Sequence, residues 1–174
     1  SFEEQNALEE PLWIATESKQ QWRKWTQLYG RYFDPNSADP NIAAQRTFKL
    51  ASIYETYLQE NTTAVDYYLE VLGYEPEHIE AFDRLHVILS DQKRWKELTE
   101  VISQVVSYRS QSNERFDLYL LQGDLYRNQL NSHAKAVSSW FQALELEPES
   151  GNIVWEWHMW DHLIQDVDPT KDNY

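Results

Sequence analysis

Apolar and polar side chains alternate at helical spacing along most of the chain. Between Glu17 and Tyr32, the residues Trp22, Trp25, Leu28, Tyr29 and Tyr32 fall on one stripe, the mark of an amphipathic helix. The same rhythm predicts helices over about 41–59, 62–73, 77–90, 95–108, 113–129 and 132–146. The breaks between them carry turn chemistry. DPNSADPN (34–41) holds two Asp-Pro pairs, and Asn61-Thr62-Thr63 offers a cap. Gly73 suits a helix end, Pro76 opens the next helix, and Asp91-Gln92-Lys93 turns the chain. RSQSNE (109–114) is the following turn, and Ser132 is placed as an N-cap. On 77–90 the expected apolar side is Leu85, Val87, Ile88 and Leu89. Before the first helix, Pro11 interrupts residues 1–15, whose Leu8, Leu12, Trp13 and Ile14 are placed to cap the first repeat.

The pattern also repeats. A shift of seventy-two residues superposes Ala51 on Gly123, Tyr54 on Tyr126, Leu58 on Leu130 and Ala64 on Ala136. It continues with Tyr68 on Trp140, Val71 on Ala143 and Pro76 on Pro148. In each copy a small residue precedes an aromatic one on the first helix. On the second helix a small and an aromatic residue are followed by Val71 in one copy and by Ala143 in the other, and a proline closes it. Small residues let two antiparallel helices approach closely, and the aromatic rings fill the space beside them. The arrangement resembles the tetratricopeptide repeat, of which the shift spans roughly two periods. One extra residue separates Tyr126 from Ala136 relative to the family's pattern. Between the copies lies a divergent helix-turn-helix unit without the small residues. Its Trp95, in RWKEL, echoes Trp25 in RKWTQL. Such alternation resembles long bacterial arrays of this family, over residues 20–150 here. The resemblance implies an all-α fold, a tetratricopeptide-type superhelix (α-solenoid) of helix pairs. The expected organisation is a cap segment at 1–16, repeats over 17–150 and an aromatic segment at 151–174.

Composition narrows the function classes. Hydrophobic residues make up 41% of the 174, enough for a core, and eight Trp with eleven Tyr suit helix-helix gaps. Four Gly and six Pro disfavour a β-sandwich. The net charge of −14 repels phosphates, so nucleic acid is not expected and a basic partner is favoured. There is no Cys, hence no disulfide or thiolate zinc site. No apolar run is long enough to span a bilayer. A soluble protein of cytoplasm or periplasm is expected. No signal peptide is visible, and Ser1 is compatible with a cleavage or a cloning junction.

Past Pro148 the pattern changes. Ile153, Trp157, Trp160 and Ile164 lie four, three and four apart, a helical stripe able to seal the last repeat. As a strand, Ile153, Trp155 and Trp157 would alternate with Val154, Glu156 and His158. The run VWEWHMWDHLIQDVDPTKDNY also resembles a segment of the bacterial aryl-sulfate sulfotransferase-like family, over Trp155–His158, Trp160–His162 and Asp166–Tyr174. That resemblance implies a β-propeller enzyme in which a histidine accepts the sulfuryl group. His158 and His162 are the alternatives for that role. The strands of a propeller are missing from the rest of the chain. On a helix, His158 and His162 share a face, and Asp161 or Asp166 would be a third metal ligand. A polar face on a capping helix explains them more simply, and neither a metal nor a cofactor is expected. Elsewhere His78 comes after a Pro-Glu helix start and is expected to face solvent. There is no Gly-rich phosphate loop and no GxSxG.

The expected function is a non-catalytic scaffold that binds a protein or peptide on its concave surface, with an accessory module of a sulfotransferase-like enzyme as the alternative. The family resemblance places groove residues on first helices. They are Gln45, Phe48, Ser52, Glu55 and Thr56 in one copy and Asp117, Leu120, Asp124, Arg127 and Asn128 in the other. Only Arg127 could take part in a carboxylate clamp of the kind some members use. The Trp-rich C-terminal segment is a further surface for self-association.

Overall fold

The computed structural model describes residues 19–32 and 39–146. These form seven α-helices and one π-helical segment, with no strand among the described residues. The fold is all-α and built from repeated helix pairs. The chain divides into two compact units, with the boundary at Ile88/Leu89.

In the first unit, α1 (Lys19–Tyr32) precedes α2 (Pro40–Ile53), which runs directly into a π-helical turn, Tyr54–Leu58. Then come α3 (Asn61–Tyr74) and α4 (Ile79–Asp91), whose last residues belong to the second unit. Asp39 starts α2: its carboxylate accepts from Asn41 N–H at 2.9 Å, and Pro40 supplies a preset helical φ. α2 and α3 form an antiparallel pair around Ala51 and Ala64, both fully buried, with Tyr68 (1% exposed) filling the gap. α1 lays Trp22, Trp25 and Tyr29 on Leu50, Ile53 and Leu58, with Tyr54 and Tyr67 beside them. Trp22 stacks on Tyr57 at 4.1 Å and Trp25 on Tyr29 at 4.4 Å. Lys49 sets its ammonium over the last two rings, at 5.7 and 5.9 Å.

In the second unit, α5 (Trp95–Val106) presents Leu98, Val101, Ile102, Val105 and Val106 to the interior. α6 (Ser112–Asn128) and α7 (His133–Leu144) form the second orthodox pair. At its crossing Gly123 meets Trp140 so closely that an added Cβ would overlap Nε1, Cδ1 and Cε2 of the indole. The absent side chain is what admits the ring.

The hairpin tips account for the extra residue. Gln59, Lys93 and Asn131 each adopt a left-handed backbone, φ 58°, 57° and 50°, between the two helices of successive pairs. Glu60 N–H reaches back to the Tyr54 carbonyl (2.8 Å), and Ser132 N–H to that of Tyr126 (2.7 Å). Both bonds span six residues, one more than a Schellman closure. The middle tip uses the ordinary closure, Arg94 N–H to the Leu89 carbonyl at 2.8 Å. In the two orthodox copies the added residue is absorbed at the tip, and the crossings are untouched.

Several local expectations are corrected. Leu28 is 42% exposed, and Thr26 takes the buried position on α1 instead. Val87 is 45% exposed, while Ala81 and Phe82 join Leu85, Ile88 and Leu89 inside. Asn61 is the first helical residue of α3, and the side chain of its N-cap, Glu60, makes no capping bond to the helix and instead accepts from the Arg23 guanidinium. Ser132 does occupy the N-cap of α7, yet its hydroxyl caps nothing. Gly73 lies inside α3, which ends at Tyr74. Helix α4 begins at Ile79 rather than 77 because His78 caps it. The expected cap at 1–15, the loop residues 33–38 and the aromatic segment 151–174 lie outside the described residues.

Candidate functional site

The first copy of the groove set is built around Tyr68. Its ring receives Phe48 edge-on at 5.5 Å, and Phe48 in turn stacks on His78 at 4.9 Å. Its hydroxyl donates to Glu55 Oε2 at 2.7 Å. Glu55, on the π-helical turn, also takes a two-pronged bond from the Arg84 guanidinium, with Nε at 3.0 Å from Oε2 and Nη2 on Oε1. Burial, and then the bond to Glu55, hold the Tyr68 hydroxyl far above the usual phenol range. The bond to Glu55 raises Arg84 further still. Glu55 thus joins the end of α2, the middle of α3 and α4.

The remaining members of that set are placed differently. Ser52 is half-buried and donates to the Lys49 carbonyl at 2.9 Å. Gln45 and Thr56 are exposed. His78, expected in solvent, is half-buried. Its Nδ1 accepts from Ala81 N–H at 3.3 Å while its ring covers Phe48.

In the second copy the same register gives a similar division. Leu120 packs against the Ala136–Trp140 core, and Arg127 lies over the Trp140 ring at 5.8 Å. These two match Phe48 and Glu55 across the seventy-two-residue shift, and all four lean on the second-helix aromatic, Tyr68 or Trp140. Asp117, Asp124 and Asn128 are exposed along α6.

A buried polar network also lies in this unit. Gln122 Nε2 donates to the Thr99 carbonyl at 3.1 Å and to Ser103 Oγ at 2.6 Å. Gln122 Oε1 accepts from Ser139 Oγ at 3.0 Å. One amide so joins α5, α6 and α7, with its hydrogen-bonding capacity met inside the protein. Sequence reasoning missed it. The available signal was a polar residue next to the small residue of the crossing. Arg84 gave no signal at all, since its partner is twenty-nine residues away.

His158, Asp161, His162 and Asp166 lie outside the described residues. Among the described residues no group of three or more His, Asp or Glu is placed to hold a metal ion. No described helix is long and apolar enough to cross a membrane.

No family model and no curated protein matches the chain. Among solved structures it is similar to a MamA RS-1 double mutant described as ArsTM. The identity is 20% over 88% of this chain and 87% of that one, with a TM-score of 0.47. It is also similar to MamA, residues 41 to the end, from Desulfovibrio magneticus RS-1. There the identity is 20% over 90% and 89% of the two chains, with a TM-score of 0.43.

Proposed function

We propose that the protein is a non-catalytic helical-repeat scaffold that binds a basic protein or peptide segment along the first helices of its pairs. The carrying observation is the division of labour on α6. Leu120 and Arg127 anchor the helix to Trp140, while Asp117, Asp124 and Asn128 on the same stripe stay open to solvent. An anchored helix with an open polar edge presents side chains to a partner at little further cost in order. Gln45 and Thr56 occupy matching exposed positions on the first copy. The net charge of −14 favours a cationic partner and speeds its approach. Within this reading residues 17–150 act as the binding array. The sulfotransferase-like alternative rests on the sequence of 154–174 alone.

The test is a titration with fluorescein-labelled Lys/Arg-rich peptides, then capture of partners on the immobilised protein. Asp117→Asn with Asp124→Asn should weaken peptide binding about tenfold, and salt should weaken it in wild type more than in the variant. Binding unchanged by the paired substitution would remove this surface from consideration.

A further inference from the structure

The chain's negative charge is unevenly spread. Between Glu55 and Ile88 stand eight acidic residues and one basic residue, Arg84, which amounts to half of the net charge of −14. Helix α6, by contrast, sets Glu114, Asp117 and Asp124 against Arg115 and Arg127. Arg84 is committed to Glu55, so that pair cancels itself. Of the other acids, Glu75, Glu77, Glu80 and Asp83 crowd the start of α4. This helix buries Ala81, Leu85 and Ile88, at 0, 0 and 3% exposure, and turns Glu80 and Asp83 to solvent. It also leaves two apolar side chains in water, Ile79 at 56% and Val87 at 45% exposure. Asp83 lies one turn from each of them, and Glu80 two turns before Val87, so two aliphatic residues and two carboxylates share one exposed face. His78 on Phe48 and Arg84 on Glu55 hold the helix to the first pair.

We propose that this face of α4 is the docking site for an amphipathic cationic segment of a partner protein, one that carries large aliphatic residues among its Lys or Arg. The proposal rests on the basic-partner reading given above and adds an apolar requirement to it. Charge complementarity selects the occupant. Glu80 and Asp83 attract cations, while Ile79 and Val87 give aliphatic side chains a place to leave water. An apolar centre with a charged rim is the make-up of a protein interface. The same criterion separates α4 from α1. There the exposed Leu28 lies one turn from Lys24 and one turn from Arg31, both exposed, so a cationic segment is repelled. Because α4 is already fixed to the first pair, docking on it costs little further ordering.

Fluorescence anisotropy on the full chain with two labelled peptides tests this. One peptide carries several Lys and two Leu, and the other has both Leu replaced by Ser. Wild type should bind the Leu peptide about tenfold more tightly. Ile79→Ser with Val87→Ser should abolish that preference and leave affinity for the Ser peptide within about twofold of wild type. Both positions are exposed, so the circular dichroism spectrum should be unchanged. Glu80→Gln with Asp83→Asn should weaken both peptides about tenfold at low salt. Tyr108→Ser, at an exposed ring beyond α5, should alter neither. A Leu preference that survives the paired Ile79 and Val87 substitutions, or that Tyr108→Ser removes as well, would overturn the proposal. Equal binding of the two peptides to wild type would overturn it and leave the basic-partner reading standing. Failure of both peptides to bind would remove that reading and the proposal together.

Discussion

Gly123→Ala sets helix propensity against packing, and the two predict opposite signs. In a helix interior with room for a methyl group, Gly→Ala stabilises by about 0.8–1 kcal/mol. At Gly123 the methyl group would overlap Nε1, Cδ1 and Cε2 of Trp140. That ring is 1% exposed and cannot swing into solvent. Either α6 and α7 part or the indole leaves its rotamer. Overpacking of this kind costs about 1–3 kcal/mol, and an overlap with three ring atoms puts it at the upper end. Set against the propensity gain, the net loss is about 2 kcal/mol. Gly73→Ala is the control. Nothing lies within 4 Å of its added Cβ, so the same substitution in α3 should stabilise by about 1 kcal/mol. Urea denaturation monitored by circular dichroism reads both, and in thermal melts the midpoint should move about 2–4 °C per kcal/mol for a chain of this size. In a Trp140→Leu background the penalty of Gly123→Ala should largely disappear. If Gly123→Ala proved as stable as wild type, the tight crossing argued for this pair would be wrong.

Other substitutions probe the remaining features. Glu55→Ala should cost about 1–3 kcal/mol, because it strands the buried Tyr68 hydroxyl, whereas Arg84→Ala on the half-exposed partner should cost under about 1 kcal/mol; equal losses by urea titration would contradict this ordering. Tyr68 ionises above its unfolded range, so its contribution to stability is complete below about pH 10 and is lost as pH rises towards the folded value. Ultraviolet titration should show a late phenol that Tyr68→Phe removes, together with part of the alkaline destabilisation. Lys93→Gly should stabilise by about 1 kcal/mol, by relieving the left-handed backbone at that tip, as thermal melts will show. Gln122→Leu should destabilise by about 1–3 kcal/mol, because Ser139 and the Thr99 carbonyl lose a buried partner; a neutral result in denaturant would discount the network.

Much of the fold was legible because helix pairs advertise their contacts. Ala51, Ala64, Gly123 and Ala136 stood out as small residues at fixed offsets from aromatic ones, and all four are buried. The helix ends were harder. Gly73 looked like a terminator, but the terminating left-handed residues are Gln59, Lys93 and Asn131. Gln59 and Lys93 carry little preference for that backbone, so those two tips are set by closure of the pair, whereas Asn131 is a residue type that adopts it readily. Periodicity also misjudged Leu28 and Val87, since a stripe wider than the neighbouring helix leaves its margin in water. For the groove set, the family resemblance named Phe48, Glu55, Leu120 and Arg127 among others. It could not show that they lean on Tyr68 and Trp140, because cross-element partners such as Arg84 leave no trace in local spacing.

The six-residue closures after Tyr54 and Tyr126 bear on how such a protein diversifies. A residue gained there only widens the bend, and the interlocked helices behind it keep their alignment. Hairpins in this chain can therefore drift in length without losing their fit. A search that insists on a constant period will then pass over descendants whose internal joints have scarcely changed.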